Sequence, residues 1–195
     1  MRVLLVRHPE PDIAPGHCYG RLDVGLSAAG VADADRLRAF LRNTGMRRVY
    51  SSPARRCFAL DPAAILDDRL QELDFGAWEG QSWHAIDRAA LDAWATDPAG
   101  FAPPGGETGA ALLTRVRAFV QDLLHRGEDA IVITHGGPLR LLPALLQRRT
   151  PDLLAPAPAF GAILDLQLDA AITVSTTAST TTAHPPNTSP VNPPI

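Results

Sequence analysis

The stretch VLLVRHPEP, from Val3 to Pro11, decides the fold. Four apolar residues, Val3 to Val6, run directly into Arg7 and His8. A short run of branched apolar residues predicts a strand that is covered on both faces, as in a parallel sheet. Pro9 has no backbone N–H, so the strand should end there. The first strand is therefore expected to carry an arginine and a histidine at its carboxyl end.

The composition bounds the class of protein. A chain of 195 residues with 46% hydrophobic residues suits one domain with a sizeable core. The net charge of -3 argues against nucleic acid or an anionic membrane as a partner. Cys18 and Cys57 have neither a disulfide-framework nor a metal-binding spacing, which predicts a reduced, cytoplasmic compartment. We expect no signal peptide and no membrane span, because the apolar runs are short.

The chain divides into a folded part and a tail. Residues 1–174 carry the apolar patterns and should form the domain. Residues 175–195, STTASTTTAHPPNTSPVNPPI, are rich in Ser, Thr and Pro and have few large apolar side chains. Such a segment cannot bury enough surface to offset its ordering entropy, so we expect a disordered tail.

Helical patterns alternate with strands along the domain. A first helix should begin at Ser27 and end at Gly45. The residues at helical spacing within it are Val31, Leu37, Phe40 and Leu41. A second pattern, SWHAIDRAALDAWA, places Trp83, Ile86, Ala90 and Trp94 at helical spacing. A long helix, ETGAALLTRVRAFVQDLLHRG, is closed by Gly127.

The remaining segments complete an α/β pattern. RRVYSSP reads as a short strand ending at Ser51, and PARRCFAL as a brief helix. DAIVITHGG is a second buried strand, followed by a helix that should bend or break at Pro143. FGAILDLQLD alternates apolar and acidic residues, which favours an edge strand. This alternation predicts a doubly wound, mostly parallel sheet sandwiched by helices.

The two buried strands end alike. AIVITHGG runs into His135, Gly136 and Gly137, as the first strand runs into His8. In open α/β sheets, ligands bind beyond the carboxyl ends of the strands. The amides at the start of the following helix face the same crevice and favour an anion. SSPARRC should bring Arg55 and Arg56 to the same edge.

Two histidines, arginines and a helix N-terminus together describe a pocket for a phosphoryl group. One imidazole would attack phosphorus, and the arginines would bind its oxygens. RLQELDFGAWEG supplies three carboxylates as candidate proton donors, namely Glu72, Asp74 and Glu79. A single histidine at a strand end is most often only a polar cap, and an isolated arginine is usually solvated. A zinc site is the rival use of histidines, but neither HxxxH nor CxxC spacing occurs.

These residues resemble the histidine phosphatase superfamily, the phosphoglycerate-mutase-like enzymes. LLVRHPEP resembles the family's Arg-His-Gly opening, and CYGRLDVGLSAAG resembles the Gly-x-x-Asp-x-x-Leu-(Ser/Thr)-x-x-Gly block that follows. SSPARRC resembles Ser-x-Leu-x-Arg-Ala, LQELDFGAWEG the Glu loop, and VITHGG the second histidine. The blocks occur in the family's order and cover residues 2 to about 170. The ordered set is far more specific than any one motif.

The resemblance implies a role for each matched residue. His8 would be the nucleophile that becomes phosphohistidine, and Glu72 the proton donor that later acts as base. His135 would complete the catalytic set. The phosphate-binding positions implied by the resemblance are Arg7, Arg56, Tyr19, Gly20 and Gly136. No metal and no cofactor is implied.

Three departures from the family pattern bear on this reading. Pro9 stands where the family has Gly, which stiffens the turn and removes an amide. Ala14 stands where the family has Asn, so a phosphate contact is missing or supplied elsewhere. The segment between Arg56 and Glu72 is short, which indicates a trimmed helix.

Within the family, the short chain and its tail favour a phosphatase over a mutase. The opening, the Glu loop and PPGGET most resemble bacterial α-ribazole phosphatases, which act on α-ribazole phosphate or cobalamin phosphate. The alternative is a broad histidine phosphatase acting on sugar phosphates or other small phosphomonoesters. A non-catalytic phospho-ligand binder is disfavoured by the intact catalytic positions. The oligomeric state is left open between monomer and homodimer.

Two further features are candidates for substrate contact. Trp78, Trp83 and Trp94 lie where the family covers its pocket, and one of them would stack on the substrate's base. For any one of them, a purely core position is the commoner role. Glu107 and Thr108, in PPGGET, form either a helix start or a substrate-loop contact, and the helix start is favoured because Thr caps helices.

Overall fold

The computed structural model describes residues 1–169 and shows five strands in one sheet. The strand order is β3-β2-β4-β1-β5. β1 and β2 both pair in parallel with β4, β3 pairs in parallel with β2, and β5 is antiparallel to β1. The strands are β1 (Arg2–Arg7), β2 (Arg48–Ser51), β3 (Ile65–Leu66), β4 (Ala130–Thr134) and β5 (Ile163–Gln167). The predicted mostly parallel sheet and the β5 edge strand are confirmed, whereas the predicted tail lies outside the described residues.

Five α-helices and two short 3₁₀ turns connect the strands within this part of the chain. The helices are α1 (Ala28–Asn43), α2 (Arg55–Phe58), α3 (Arg88–Thr96), α4 (Gly109–Arg126) and α5 (Gly136–Leu146). The 3₁₀ turns are Asp68–Leu70 and Gly76–Trp78. Among the described residues, no helix is long and apolar enough to cross a membrane.

The sheet separates two apolar layers. Val3 and Leu5 of β1 face the layer formed with α4 and α5. Leu4 and Val6 face the opposite layer, formed with α1 and α2. Successive side chains of a strand point to opposite faces, so the continuous apolar run of β1 serves both layers. The predicted sandwich of helices on both faces is confirmed.

The first helix begins as predicted but buries only part of its apolar pattern. The Ser27 hydroxyl accepts a hydrogen bond from the Gly30 amide and caps the helix. Of the four apolar residues at helical spacing, Leu37 and Leu41 are buried, whereas Val31 and Phe40 are 51% and 43% exposed. The buried residues are Gly30, Ala34, Leu37 and Leu41. A Cβ on Gly30 would lie 2.1 Å from the Glu10 carbonyl oxygen, so small residues define the face that packs closely.

The third helix is shorter than its pattern predicted. Asp87 caps it by accepting a hydrogen bond from Ala90, and it begins at Arg88. Trp83 and Ile86 therefore precede the helix, and their predicted helical spacing is wrong. Ile86 is instead buried with Cys18 and Trp78 in a separate apolar cluster. An Asp followed by three helix-forming residues was the better start signal.

The later helices largely follow their predictions. Thr108 caps α4 by accepting from the Ala111 amide, and Gly127 ends it in the left-handed region at φ 65°. The helix-start role of Thr108 is confirmed. Of the predicted bend or break at Pro143, the break does not occur, since α5 continues to Leu146. A proline removes one intrahelical hydrogen bond, which a helix packed between its neighbours tolerates.

Candidate active site

His8 follows β1 and is fixed through its backbone and its ring. Its amide donates to the Thr134 carbonyl at 3.0 Å, and its carbonyl accepts from Gly161 at 3.2 Å. Its Nδ1 lies 2.6 Å from the Pro9 carbonyl oxygen. A carbonyl only accepts hydrogen bonds, so Nδ1 carries the hydrogen. The lone pair of a neutral ring is then left on Nε2.

The surroundings of His8 keep its ring neutral. Burial, reinforced by the charges of the nearby Arg56 and Arg7 guanidinium groups and opposed by the Pro9 carbonyl, lowers the pKa of His8 to about 3. A neutral imidazole is a nucleophile, whereas imidazolium is not. Near neutral pH this side chain therefore holds an unprotonated Nε2.

His135 ends β4 and stands beside His8. The two ring centroids are 5.1 Å apart with an interplanar angle of 64°. The His135 Nε2 lies 2.7 Å from the Ser52 hydroxyl oxygen and 3.5 Å from the Cys57 sulfur. Burial, followed by the charge of Arg56, holds the pKa of His135 well below its usual value. Both rings are therefore neutral, polar groups in a buried setting.

Arg56 is buried and directed at the same place by a neighbouring loop. Its Nη2 donates to the Gly20 carbonyl at 2.6 Å and its Nη1 to the Leu22 carbonyl at 3.0 Å. Arg55, by contrast, is exposed. Of the two arginines expected at this edge, the structure brings Arg56 to the histidines and leaves Arg55 outside.

Arg7 completes what we call the strand-end cluster, namely Arg7, His8, Arg56 and His135. Its guanidinium carbon lies 4.1 Å from the centroid of the Phe160 ring, and its Nη1 donates to the Pro158 carbonyl. Within residues 1–169, the Nε atoms of Arg7 and Arg56 are buried without a hydrogen-bond partner. Buried donors are almost always satisfied, so two unpaired guanidinium N–H groups indicate a place for an anion.

Tyr19 and Gly20 lie against the two arginines. The Tyr19 ring centroid is 5.3 Å from the Arg56 guanidinium carbon. Burial raises the pKa of Tyr19, so the hydroxyl remains protonated. A Cβ on Gly20 would lie 2.0 Å from the Leu73 carbonyl oxygen. Only glycine lets this loop approach the Glu72 segment so closely.

Glu72 reaches the start of α5. Its Oε1 and Oε2 accept from the Gly137 amide at 3.0 and 3.1 Å, and Oε1 accepts from the Leu73 amide at 2.9 Å. A Cβ on Gly137 would lie 2.1 Å from Oε1, so glycine makes this approach possible. Gly136, the preceding residue, lies against the Arg7 guanidinium.

The other two candidate carboxylates are occupied elsewhere. Glu79 accepts from the amides of Arg21 at 2.8 Å and Phe75 at 3.0 Å, and also from the Leu22 amide. It therefore holds the loop whose carbonyls bind Arg56. Asp74 accepts from the Gly76 amide at 2.8 Å. Of the three carboxylates, Glu72 is the one that lines the cavity described next.

A main cavity of about 230 Å³ opens beside these groups. Arg7, Tyr19, Glu72 and Gly136 form its polar end, together with Arg140. The rest of the wall is largely apolar and includes Leu73, Phe75, Trp94, Pro98, Leu112, Leu153, Leu154 and Ala157. Of the three tryptophans considered, Trp94 lines this cavity, whereas Trp78 is buried in the cluster behind it.

Sequence reasoning missed several residues around the site. Arg140 follows His135 by little more than one helical turn, and its Nε donates to the Ala155 carbonyl at 2.7 Å. Phe160 lies 5.4 Å from His8 between ring centroids, and it lines a second cavity of about 300 Å³ together with Ala14 and Tyr19. Arg140 had a signal in its position on the first turns of the helix after His135, but nothing in the sequence pointed to Phe160.

A metal centre finds no support in the described residues. Within residues 1–169, no group of three or more His, Cys, Asp or Glu side chains could hold a metal ion. The two histidines are instead surrounded by arginines, which repel a cation. The arrangement is suited to a phosphate group that cations bind. A neutral imidazole and a carboxyl group then lie near it as reacting groups.

Comparison with known proteins agrees with this chemistry. Residues 3–159 match the Histidine phosphatase superfamily (branch 1). The chain is 31% identical over 159 residues to putative phosphoserine phosphatase 2 of Hydrogenobacter thermophilus, covering 74% of this chain and 78% of that protein. It is 30% identical over 161 residues to the adenosylcobalamin/alpha-ribazole phosphatase of Salmonella typhimurium, covering 75% of this chain and 79% of that protein.

A solved structure shares the fold. The alpha-ribazole phosphatase from Shigella flexneri superposes with a TM-score of 0.79 at 24% identity, over 87% of this chain and 92% of that one. The chain therefore belongs to the histidine phosphatase superfamily and is a phosphoric monoester hydrolase.

Proposed function

We propose that the protein hydrolyses phosphomonoesters in two steps through a phosphohistidine on His8. The observation that carries this proposal is the buried ring of His8: its Nδ1 is committed to the Pro9 carbonyl, its Nε2 is unprotonated, and the charges of Arg56 and Arg7 act on it. Nε2 attacks phosphorus, and the P–O bond to the leaving group breaks. A covalent intermediate divides one difficult displacement into two easier ones.

The phosphate is bound by the other members of the cluster and their neighbours. Arg7 and Arg56 offset the charge of the phosphoryl oxygens through preorganised donors. His135, Tyr19 and the Gly136 amide supply further polar contacts, and the Gly20 loop keeps Arg56 in place. None of these groups moves a proton in the first step.

Glu72 acts as the general acid and then as the general base. In the first step, it donates a proton to the leaving oxygen, so an alcohol departs instead of an alkoxide. In the second step, the Glu72 carboxylate accepts a proton from water as the water attacks the phosphohistidine. Phosphate leaves, His8 returns to its neutral form and Glu72 is protonated again. Its position on the wall of the main cavity, which Arg7 also lines, supports both roles.

For the substrate, we propose α-ribazole 5′-phosphate or the corresponding cobalamin phosphate. The wall of the main cavity beyond the polar end is largely apolar and includes Phe75 and Trp94. Such a wall suits the planar, apolar base of α-ribazole, since aromatic rings stack on it. The relative from Salmonella typhimurium is named for this activity.

A second candidate substrate class carries a carboxylate or another anion on its leaving group. Arg140 lines the same cavity, and its charge is close enough to Arg7 to lower the pKa of that guanidinium. A relative from Hydrogenobacter thermophilus, phosphoserine phosphatase 1, is named for such a substrate. A broad phosphatase on small phosphomonoesters would accept both classes.

The deciding experiment measures phosphate release from a panel of substrates with EDTA present. The panel contains α-ribazole 5′-phosphate, phosphoserine, phosphoglycerates, sugar phosphates and nucleotides, and His8→Ala is assayed in parallel. We expect a preference for α-ribazole phosphate and a loss of about 10³-fold or more in the variant. A preference for phosphoserine would instead support the second substrate class, whose leaving group carries an anion near Arg140. Equal activity throughout would reject a dedicated substrate, and no release at all would reject the enzyme mechanism.

A further inference from the structure

A partly buried ion pair supports the Glu72 loop. Arg115 of α4 and Glu107, just before that helix, have side chains that are 15% and 12% exposed. Their contact is bidentate, with Nε to Oε1 at 2.7 Å and Nη2 to Oε2 at 2.8 Å. Planar pairing of this kind fixes direction as well as distance. The pair is therefore a rigid element and not a solvated contact.

Arg115 also binds the backbone just before Glu72 and at Glu72 itself. Its Nη1 donates to the Arg69 carbonyl at 2.8 Å and the Gln71 carbonyl at 2.7 Å. Its Nη2 donates to the carbonyl of Glu72 itself at 2.9 Å. This segment belongs to no strand, so no sheet partner satisfies these carbonyls. The Arg115 guanidinium therefore supplies the hydrogen bonds that a neighbouring strand would otherwise donate to these carbonyls.

Glu107 holds the other end of the same loop. Its amide donates to the Asp74 carbonyl at 2.8 Å, and its Oε2 accepts from the Asp74 amide at 3.4 Å. Residues 69–74 are thus tied to the Arg115–Glu107 pair before, at and after Glu72. Neither of these two side chains lines the main cavity.

We propose that Arg115 and Glu107 are positioning residues that hold the Glu72 carboxylate where it exchanges protons with the leaving oxygen and with water. This inference rests on the proposed role of Glu72 as acid and base. The carboxylate itself is held at the Gly137 amide, so its direction depends on where the backbone of residue 72 lies. A shift of about 1 Å at a proton donor is enough to lower the rate severely.

The test compares leaving groups that differ in their need for a proton. An alkyl phosphate such as phosphoserine loses an alkoxide unless it is protonated, whereas p-nitrophenyl phosphate loses a stable phenolate. The ratio kcat/KM reports only the steps up to phosphoryl transfer to His8, so slow hydrolysis of the phosphoenzyme does not enter. We expect Arg115→Lys to lower kcat/KM by about tenfold or more for the alkyl phosphate and by no more than about threefold for p-nitrophenyl phosphate.

Glu107→Gln provides a second variant with the same expected direction, in case Arg115→Lys lowers the yield of folded protein. The matched control is Arg69→Lys. The Arg69 side chain also forms ion pairs near α4, with Asp67 and Asp122, but it touches neither Glu72 nor the main cavity. The control should leave the ratio of the two kcat/KM values unchanged. An equal fall on both substrates in Arg115→Lys and Glu107→Gln would show a merely structural pair and overturn the inference.

Glu72→Gln separates this inference from the proposed function. If Glu72→Gln leaves the ratio of the two substrates unchanged, Glu72 is not the acid and the proposed function is wrong at that point. If Glu72→Gln shifts the ratio and Arg115→Lys does not, the positioning inference alone fails. If the inference holds, Arg115→Lys added to Glu72→Gln should change kcat/KM for the alkyl phosphate by less than about twofold.

Discussion

The strand-end cluster and the main cavity are neighbours that are built in different ways. His8, Arg56 and His135 are almost completely buried, and each is held by backbone groups or by a side chain of the central sheet region. The cavity wall comes instead from loops and helix ends, with Trp94 half-buried and Leu154 60% exposed. One region is rigid and polar, whereas the other is accessible and largely apolar.

This difference indicates that the strand-end cluster binds the phosphoryl group and that the cavity wall contacts the leaving group. The transferred phosphoryl group is the same in every phosphomonoester, so its binding groups can be fixed on buried strands. The leaving group varies, and the walls that contact it lie on segments that tolerate change. The relatives named for phosphoserine and for α-ribazole fit this division. Substitutions in the two regions should therefore have separable effects on general activity and on substrate preference.

The largest effect is expected when the cluster is broken at Arg56. Arg56→Lys keeps a positive charge but replaces the planar guanidinium, whose two terminal nitrogens reach the Gly20 and Leu22 carbonyls, by a single compact ammonium group. We expect kcat/KM to fall by about 100-fold on every substrate alike. Steady-state assays with α-ribazole phosphate and phosphoserine measure this directly.

Arg38→Lys is the matched control for Arg56. Arg38 also donates twice to a backbone carbonyl, that of Ala59, but it lies away from the histidines. Its kcat/KM should stay within about twofold of the wild-type value, because exposed and half-buried arginines contribute little. A loss at Arg56 that differs strongly between substrates would contradict the division between cluster and cavity.

Much of the cluster was readable from the sequence because it depends on strand ends. VLLVRH and IVITH are buried runs whose final residues must emerge at the same sheet edge, and this places Arg7, His8 and His135. The choice of Arg56 over Arg55 came from the family pattern. The strand β3 was missed, since Ile65 and Leu66 form only two exposed residues that gain their pairing from β2.

The supporting contacts were not readable, because they join parts of the chain through tertiary packing. Glu79 looked like a possible acid, yet it holds the loop that carries Gly20 and Leu22. Arg115 and Glu107 are separated by a helix cap, and nothing in their spacing reveals the carbonyls that they hold. The exposure of Val31 and Phe40 was not readable for a related reason. The small residues of α1 determine which face of that helix packs closely against the rest of the protein.

A smaller and more selective effect is expected at the cavity wall. Trp94→Ala removes a ring that packs against Phe75 and Trp83 and lines the cavity. We expect kcat/KM to fall about tenfold for α-ribazole phosphate and less than about twofold for phosphoserine, because only the former offers a ring to stack. Competition between the two substrates in one assay measures the ratio without a concentration error.

Trp83→Ala is the control for Trp94, since Trp83 belongs to the same aromatic cluster but does not line the main cavity. It should lower thermal stability without changing the substrate ratio. Equal losses on both substrates in Trp94→Ala would assign that ring to the stability of the cavity and remove the stacking argument for α-ribazole.

The last effect concerns the pH dependence of stability and arises from the burial of the cluster. Folded His8 stays neutral down to a pKa of about 3, whereas the unfolded side chain takes up a proton below about 6.5. Between these values the unfolded state binds more protons, so the free energy of unfolding falls as the pH falls, by at most about 1.4 kcal/mol per pH unit for this group.

His8→Asn removes this titration, while His135 retains its own in both proteins. Urea unfolding from about pH 7.5 to about pH 4.5 should therefore show a shallower loss of stability in His8→Asn than in the wild-type protein. His84→Asn, a substitution at an exposed histidine, should follow the wild-type curve. Parallel curves for the wild-type protein and His8→Asn would mean that solvent reaches the His8 ring in the folded state. The contrast between a buried cluster and an accessible cavity would then fail at His8, because burial of its ring is what keeps Nε2 unprotonated.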